Sequence, residues 1–256
     1  MHPVLFRITE TIAIRSYGVM LAIAFFVGII IAIRFAKREG IKSSVVIDLS
    51  LWVILATIIG GRLLYVLMNL KDYLSSPLDI LRIWQGGLIF YGGFFLSILV
   101  AVWFFKRNKI NEWRGLDLLS PAAAIGYAIA RIGCFLNGCC YGKPTDGPFG
   151  LIFSPESAAG SHYFGVPIHP TQLYAMVINL AIFFVLWYVY SRRRFYGQVF
   201  WSYVFLYSVY RFLIEFVRGD KGQIAFGMTA IQLVTIALFV CSIIGYLELR
   251  RGETID

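Results

Sequence analysis

Three arginines stand inside stretches too apolar to hold a charge comfortably: Arg62 in "IIGGRLLYVLMN", Arg131 in "ARIGCFLNGCCYG" and Arg211 in "LYSVYRFLIEFVRGD". An arginine at the middle of a membrane-spanning helix costs about 2.5 to 3.5 kcal/mol on insertion scales, so each needs a polar partner or a wet cavity. Each also has a plain structural reading. A long side chain can snorkel to the headgroups, and Arg211 has Glu215 one helical turn further on the same face. The functional reading is that guanidinium forks converge on a phosphate, gripping two of its oxygens at once. At that depth in a bilayer the phosphate is a phospholipid headgroup, and the chemistry is lipid handling.

Cys134, Cys139 and Cys140 follow Arg131 closely. Their C-x4-C-C spacing is not a common zinc pattern, and the nearest histidines, His162 and His169, fall in a long loop, so no metal is expected. Adjacent Cys139 and Cys140 could pair in a disulfide only with strain. Packing of small residues where a helix ends is the expectation, with an enzyme thiol acting as nucleophile as the alternative. Cys241 reads as a packing residue in the last span. Glycine pairs at Gly60–Gly61, Gly86–Gly87 and Gly92–Gly93 mark close helix contacts. The Gly86–Gly87 pair, placed at the opening of the third span, would also let a ligand approach backbone. Tyr91, between two of the pairs, is either an interfacial anchor or a hydroxyl in the site.

The elements that must position these residues are set by composition. Of 256 residues, 59% are hydrophobic and 14% charged, which defines an integral membrane protein. About 20 apolar residues cross a hydrocarbon core about 30 Å thick, and seven segments qualify, near 17–36, 45–68, 86–105, 116–136, 170–190, 197–216 and 227–248. The expected fold is all-α, a single polytopic membrane domain over residues 1–256 with a long outer loop near 137–169. The net charge of +9 does not imply nucleic acid, because the basic residues cluster between alternate spans. Thirteen Lys/Arg fall on one side, seven on the other and three inside spans. By the positive-inside rule the N-terminus is outside, in the periplasm, and the C-terminus cytoplasmic. The opening "MHPVLFRITETIAIRS" lacks the basic start and apolar run of a cleavable signal peptide; it is expected to lie along the outer interface. No internal repeat divides the spans into two halves, and the polar residues gather at one leaflet. Both features argue against a transporter.

In their order along the chain, these motifs resemble the bacterial prolipoprotein diacylglyceryl transferases. The family signature usually reads Gly-Arg-x-Gly-Asn-Phe-x-Asn-x-Glu-x-x-Gly, and "ARIGCFLNGCCYG" keeps Arg131, Gly133, Phe135, Asn137 and Gly142 of it. The resemblance covers the whole chain, including "IRSYGVMLAIAF", "GGRLLYV", "WQGGLIFYGG", "HPTQLY" and "YRFLIEFVRGD". Cys134 stands where the family usually has Asn, Cys139 where it has Glu, Tyr91 where many members carry a His, and Ala175 where a Glu often follows "HPTQLY".

The resemblance implies transfer of the diacylglyceryl group of phosphatidylglycerol to the lipobox cysteine thiol of a preprolipoprotein, during lipoprotein maturation. A thioether forms and glycerol phosphate leaves, at the outer leaflet of the bacterial cytoplasmic (inner) membrane. It implies Arg131, Arg211 and Tyr91 as catalytic residues. Tyr17, Arg62, Asn137, Gly142, Tyr207 and Glu215 would bind substrate, with Arg62 supporting the fold or the lipid entrance and Glu215 orienting Arg211. Membrane lipid is the milieu; no metal, dissociable cofactor or nucleic acid is called for. The alternatives are a diverged lipid transferase with an enzyme cysteine nucleophile, or a small-molecule transporter.

Overall fold

A computed structural model describes residues 4–7, 13–82, 86–219 and 227–252. Trp84 and Gln85 of the third-span motif, Asp220 and Lys221, and residues 1–3 and 8–12 of the opening segment lie outside the described residues, so the interfacial placement expected of that segment is not addressed. Strand β1 (Val4–Arg7) pairs antiparallel with β2 (Ala13–Arg15), Phe6 opposite Ile14. Helices follow: α1 (Ser16–Arg38), α2 (Ser43–Met68), α3 (Leu70–Ser75), a 3-10 turn at Pro77–Leu81, α4 (Phe90–Arg107), α5 (Glu112–Asn137), α6 (Ala158–His162), α7 (Thr171–Ser191), α8 (Gln198–Glu215) and α9 (Ala230–Gly252).

Each of the seven apolar segments carries one of the long helices, because a helix satisfies every backbone group within itself and lipid offers no substitute. Five of them, α1, α2, α5, α7 and α9, are long and apolar enough to cross a membrane. Their surfaces are inverted relative to a soluble protein. Phe26, Leu99, Phe184 and Leu213 are at least 60% exposed, while Asp117, Gln172, Asn179, Ser208, Arg211 and Glu215 are buried. Apolar side chains turned outward and polar ones inward fit a lipid solvent and define an all-helical membrane protein.

The chain divides into two compact units, residues 33–116 and residues 1–32 with 117–256. In the first, α2 and α4 pack at small residues: a Cβ on Gly92 would run into the Gly60 carbonyl, and one on Gly93 into that of Thr57. Thr57 and Ser97 share a hydroxyl hydrogen bond of 2.9 Å across the same contact. The third long helix begins at Phe90, not at Gly86. Gly86 and Gly87 lie ahead of it with φ of 92° and 76°, a left-handed conformation that keeps them out of the helix. Of the two pairs flanking Tyr91, it is therefore Gly92–Gly93 that makes the helix contact. Arg114, in the first turn of α5, donates from Nε to Glu39 at 2.9 Å and ties the start of α5 to the connection after α1.

In the second unit, Asp117 of α5 caps α8. Its carboxylate accepts from the backbone N–H of Gly197 and of Phe200, each at 2.9 Å, meeting donors that a helix start leaves unpaired. The segment near 137–169, expected from sequence as a long loop, has a core of its own. Phe153, Ala159 and Ile168 are buried, with Phe135, Tyr141 and Tyr163 against them. Its backbone is laced to distant residues: Gly142 N–H donates to His169 O at 3.0 Å, Lys143 N–H to Val217 O at 2.8 Å, and Leu151 N–H to Ile168 O at 3.0 Å.

Candidate functional site

Arg131 lies in the last two turns of α5, where the helix dipole favours a cation. Its guanidinium carbon sits 4.4 Å from the centroid of the Tyr127 ring, one of its NH2 groups donates to the Tyr127 hydroxyl, and the other reaches Cys134 Sγ at 3.9 Å. Tyr127 precedes Arg131 by four residues, so one helical face presents both. Among the described residues the guanidinium meets no carboxylate. The same Tyr127 ring meets Tyr207 and Tyr210 of α8 edge-on, at 5.7 and 6.3 Å between centroids, and Tyr207 also faces Tyr203 at 6.0 Å. Arg131 is thus set over the Tyr127 face of an aromatic cluster, which holds a cation without neutralising it.

Arg211, on α8 one residue beyond Tyr210, is buried and held differently. It donates to Glu215 Oε2 at 2.6 Å, and the other Glu215 oxygen accepts from the Thr229 hydroxyl at 3.0 Å. Thr229, just ahead of α9, is fixed in turn by Gln232, whose side-chain oxygen accepts from the Thr229 N–H at 3.0 Å. The pair anticipated from spacing is formed. Tyr210 lies within electrostatic reach of both Arg131 and Arg211 and connects the two cations.

Tyr17, at the start of α1, lies against the backbone of Gly133 in α5, and its hydroxyl senses Cys134 and, more weakly, Arg131. Asn137, the last residue of α5, hydrogen-bonds through its side chain to Cys139. Gly142 stands where chains meet: a Cβ there would fall 2.6 Å from His169 Cβ and 2.9 Å from the Val217 carbonyl, and a bridge joins it to Arg218. That is a demand for close backbone approach. Tyr17, Arg131, Asn137, Tyr207, Arg211 and Glu215 thus gather at one end of the same unit, built from the start of α1, the ends of α5 and α8 and the start of α9.

The other two predicted residues belong to the first unit. Arg62 spends its donors on backbone: Nε on Ile80 O at 2.9 Å, one NH2 group on Asp79 O, and the other on Gly86 O at 2.8 Å and Gly87 O at 3.2 Å. Tyr65 and Tyr73 flank the guanidinium at 5.7 and 5.3 Å. This is the fold-supporting use of Arg62: one side chain closes the loop from Asp79 to Gly87. Tyr91 is the second residue of α4, with 43% of its surface exposed.

Sequence reading missed Tyr127, Tyr210, Thr229 and the buried Arg218. A signal for the first was present, since Tyr127–Arg131 and Tyr207–Arg211 repeat one Tyr-x3-Arg spacing. It also expected the three cysteines only to fill space. The structure brings their sulfur atoms within 4.8 Å of one another, because the chain folds back sharply where α5 ends. All four cysteines are free thiols. Of the two cysteines beyond α5, the Cys140 thiol is held well below the usual thiol range, by hydrogen bonds from Cys134 and Cys139 and then by the charges of Arg131 and Arg218.

A polytopic all-helical membrane protein with a half-buried and a buried arginine beside a cluster of tyrosine rings is the class these features define. Residues 3–247 match the family described as prolipoprotein diacylglyceryl transferase. The chain is similar to the phosphatidylglycerol–prolipoprotein diacylglyceryl transferase of Clostridium tetani, at 34% identity over 93% of this chain and 95% of that protein. It is also similar to those of Geobacter sulfurreducens, at 38% identity over 87% and 84% of the two chains, and of Solidesulfovibrio magneticus, at 38% over 90% and 88%. The chain belongs to the prolipoprotein diacylglyceryl transferase family.

Proposed function

We propose that this protein transfers the diacylglyceryl group of phosphatidylglycerol to the lipobox cysteine of a preprolipoprotein, working at the outer leaflet of the inner membrane on a seven-span scaffold with the N-terminus outside. The observation that carries the chemistry is Arg131, a half-buried guanidinium over an aromatic ring with no carboxylate among the described residues to neutralise it. Such a group is an anion receptor.

The reaction needs one. The thiolate sulfur attacks the glyceryl carbon that bears the phosphate, a C–S bond forms, and the C–O bond breaks with its electron pair passing to the phosphate oxygen. A singly charged diester thereby becomes a doubly charged monoester, glycerol phosphate, and the thiol proton passes to solvent or a nearby base. The developing charge falls on the departing phosphate, where fixed cationic donors lower the barrier most. Arg131 holds that phosphate, and Arg211, aimed by Glu215, is the second cation. Tyr207 shapes the cage, while Tyr17 and Asn137 meet the headgroup glycerol or the peptide. Tyr91 is assigned the hydrogen bond to the incoming thiol, on the strength of its position in the family pattern. An open groove of about 480 Å³ on α7 and α8, lined by Ile178, Ile182, Leu206, Val209 and Leu213 and reaching Tyr210, suits an acyl chain.

The test is incubation of the purified protein with labelled phosphatidylglycerol and a lipobox peptide. Peptide thioether with equimolar glycerol phosphate is expected. A covalent lipid–enzyme adduct ahead of product would replace the direct displacement with an enzyme-thiol route, and absence of any transfer would overturn the assignment.

A further inference from the structure

We infer that Cys134, Cys139 and Cys140 form a binding site for one thiophilic d10 cation, Zn2+ or Cu+, at the end of α5. The three Sγ atoms lie within 4.8 Å of one another, one buried and two half-buried. A zinc ion with Zn–S bonds of about 2.3 Å sets its sulfurs about 3.8 Å apart, so the cluster needs to close by at most about 1 Å, within reach of small side-chain rotations.

The backbone is built to hold the thiols there. Cys139 N–H donates to Cys134 O at 3.1 Å, folding the chain back over the helix end. Cys140 has a φ of 60°, a left-handed conformation that a residue with a Cβ adopts only where its surroundings impose it. The surroundings are explicit. The Thr171 hydroxyl donates to Cys140 O at 2.7 Å and the Gln172 amide to Cys139 O at 2.8 Å, and both residues are buried, Thr171 at 2% exposure and Gln172 at 0%. Cysteines that only filled space would need neither the strained backbone nor two clamped carbonyls.

Charge and ligand count narrow the occupant. Three thiolates around a divalent ion carry a net charge of −1, and around a monovalent ion −2. Arg131, 3.9 Å from Cys134 Sγ, and Arg218, whose charge bears on Cys140, offset it. Among the described residues no histidine nitrogen joins the three sulfurs; His169 Nδ1 lies instead 3.2 Å from the Tyr174 hydroxyl. The set is therefore three sulfurs with at most a water beside them, which suits trigonal Cu+ or zinc with one open position. On binding, each thiol still protonated loses its S–H proton to solvent as its metal–sulfur bond forms, and no electron is transferred.

The experiment loads the reduced, purified chain in detergent with Zn2+ or, anaerobically, with Cu+, then passes it over a chelator and counts metal per chain. One equivalent is expected to remain, and a competition between the two ions identifies which is held. The Cys139→Ser/Cys140→Ser double variant should retain less than a tenth as much. Because that variant could also misfold, the wild-type chain gives an independent reading. Peptide mapping after alkylation should find Cys134, Cys139 and Cys140 protected in the metal-loaded chain and labelled in the metal-free one. Failure to retain either ion, retention undiminished in a folded double variant, or alkylation of the three cysteines unchanged by metal would overturn the site.

Discussion

Arg131 and Arg211 carry the same group, and their partners decide what each can do. A guanidinium resting on a tyrosine face keeps its charge available, while one paired with a carboxylate has most of its charge answered. Arg131→Lys keeps the charge and loses the planar fork that grips two phosphate oxygens. Losing one donor to the developing charge costs about 2.7 to 4 kcal/mol, so turnover should fall about a hundredfold or more with membrane abundance unchanged. Steady-state transfer normalised to immunoblotted protein measures this, and wild-type turnover would reduce Arg131 to a structural residue. Arg211→Gln should behave differently, because it strands Glu215, whose side chain is fully buried. Removing one partner of a buried pair costs about 3 to 5 kcal/mol, so abundance should drop. Adding Glu215→Gln removes the stranded charge and should restore abundance. If the restored protein also recovers full transfer, the pair serves only the fold; if transfer stays low, Arg211 holds phosphate.

The contact between α2 and α4 depends on side chains that are absent. Lipid gives no hydrophobic drive for helices to associate, so they hold together by close backbone approach, and Gly60 and Gly92 supply it. Gly92→Leu should force the helices apart at a cost of about 1 to 3 kcal/mol, the usual range for overpacking. Lower thermal stability in detergent, relative to Leu99→Ala on the exposed side of α4, is the expected measurement; equal stabilities would remove the close contact. At this scale the sequence was legible where structure is local. Apolar runs found all seven long helices, and the four-residue spacing found Arg211–Glu215. It was not legible where pairing is distant. The ladder joining Gly142, His169 and Val217 links residues up to about seventy-five positions apart, with no periodicity to announce it. The convergence of three thiols likewise depends on Thr171 and Gln172 more than thirty residues away.

For the whole molecule, the open question is which side of the membrane carries the site, and charge is what decides it. Basic residues close α1 at Lys37 and Arg38, α4 at Lys106 and Arg107, and α9 at Arg250 and Arg251, while Arg192, Arg193 and Arg194 join α7 to α8. The opposite ends of the long helices, where Arg131, Arg211 and Tyr17 sit, carry fewer. Lysine and arginine in short loops are retained on the cytoplasmic side, so on the proposed reading the thirteen-to-seven split would place the end of α9 in the cytoplasm. A seven-span count, as proposed, would then put the start of α1 outside. A reporter active only in the cytoplasm, fused after residue 256, should be active, and one active only in the periplasm should be silent there but active when inserted in the segment between α5 and α6. The reverse pattern would turn the arginine cage toward the cytoplasm, away from translocated preprolipoproteins, and the transfer could then not take place where this reading puts it. Activity of the periplasmic reporter at both positions would break the count instead, since α7, α8 and α9 could not then all cross.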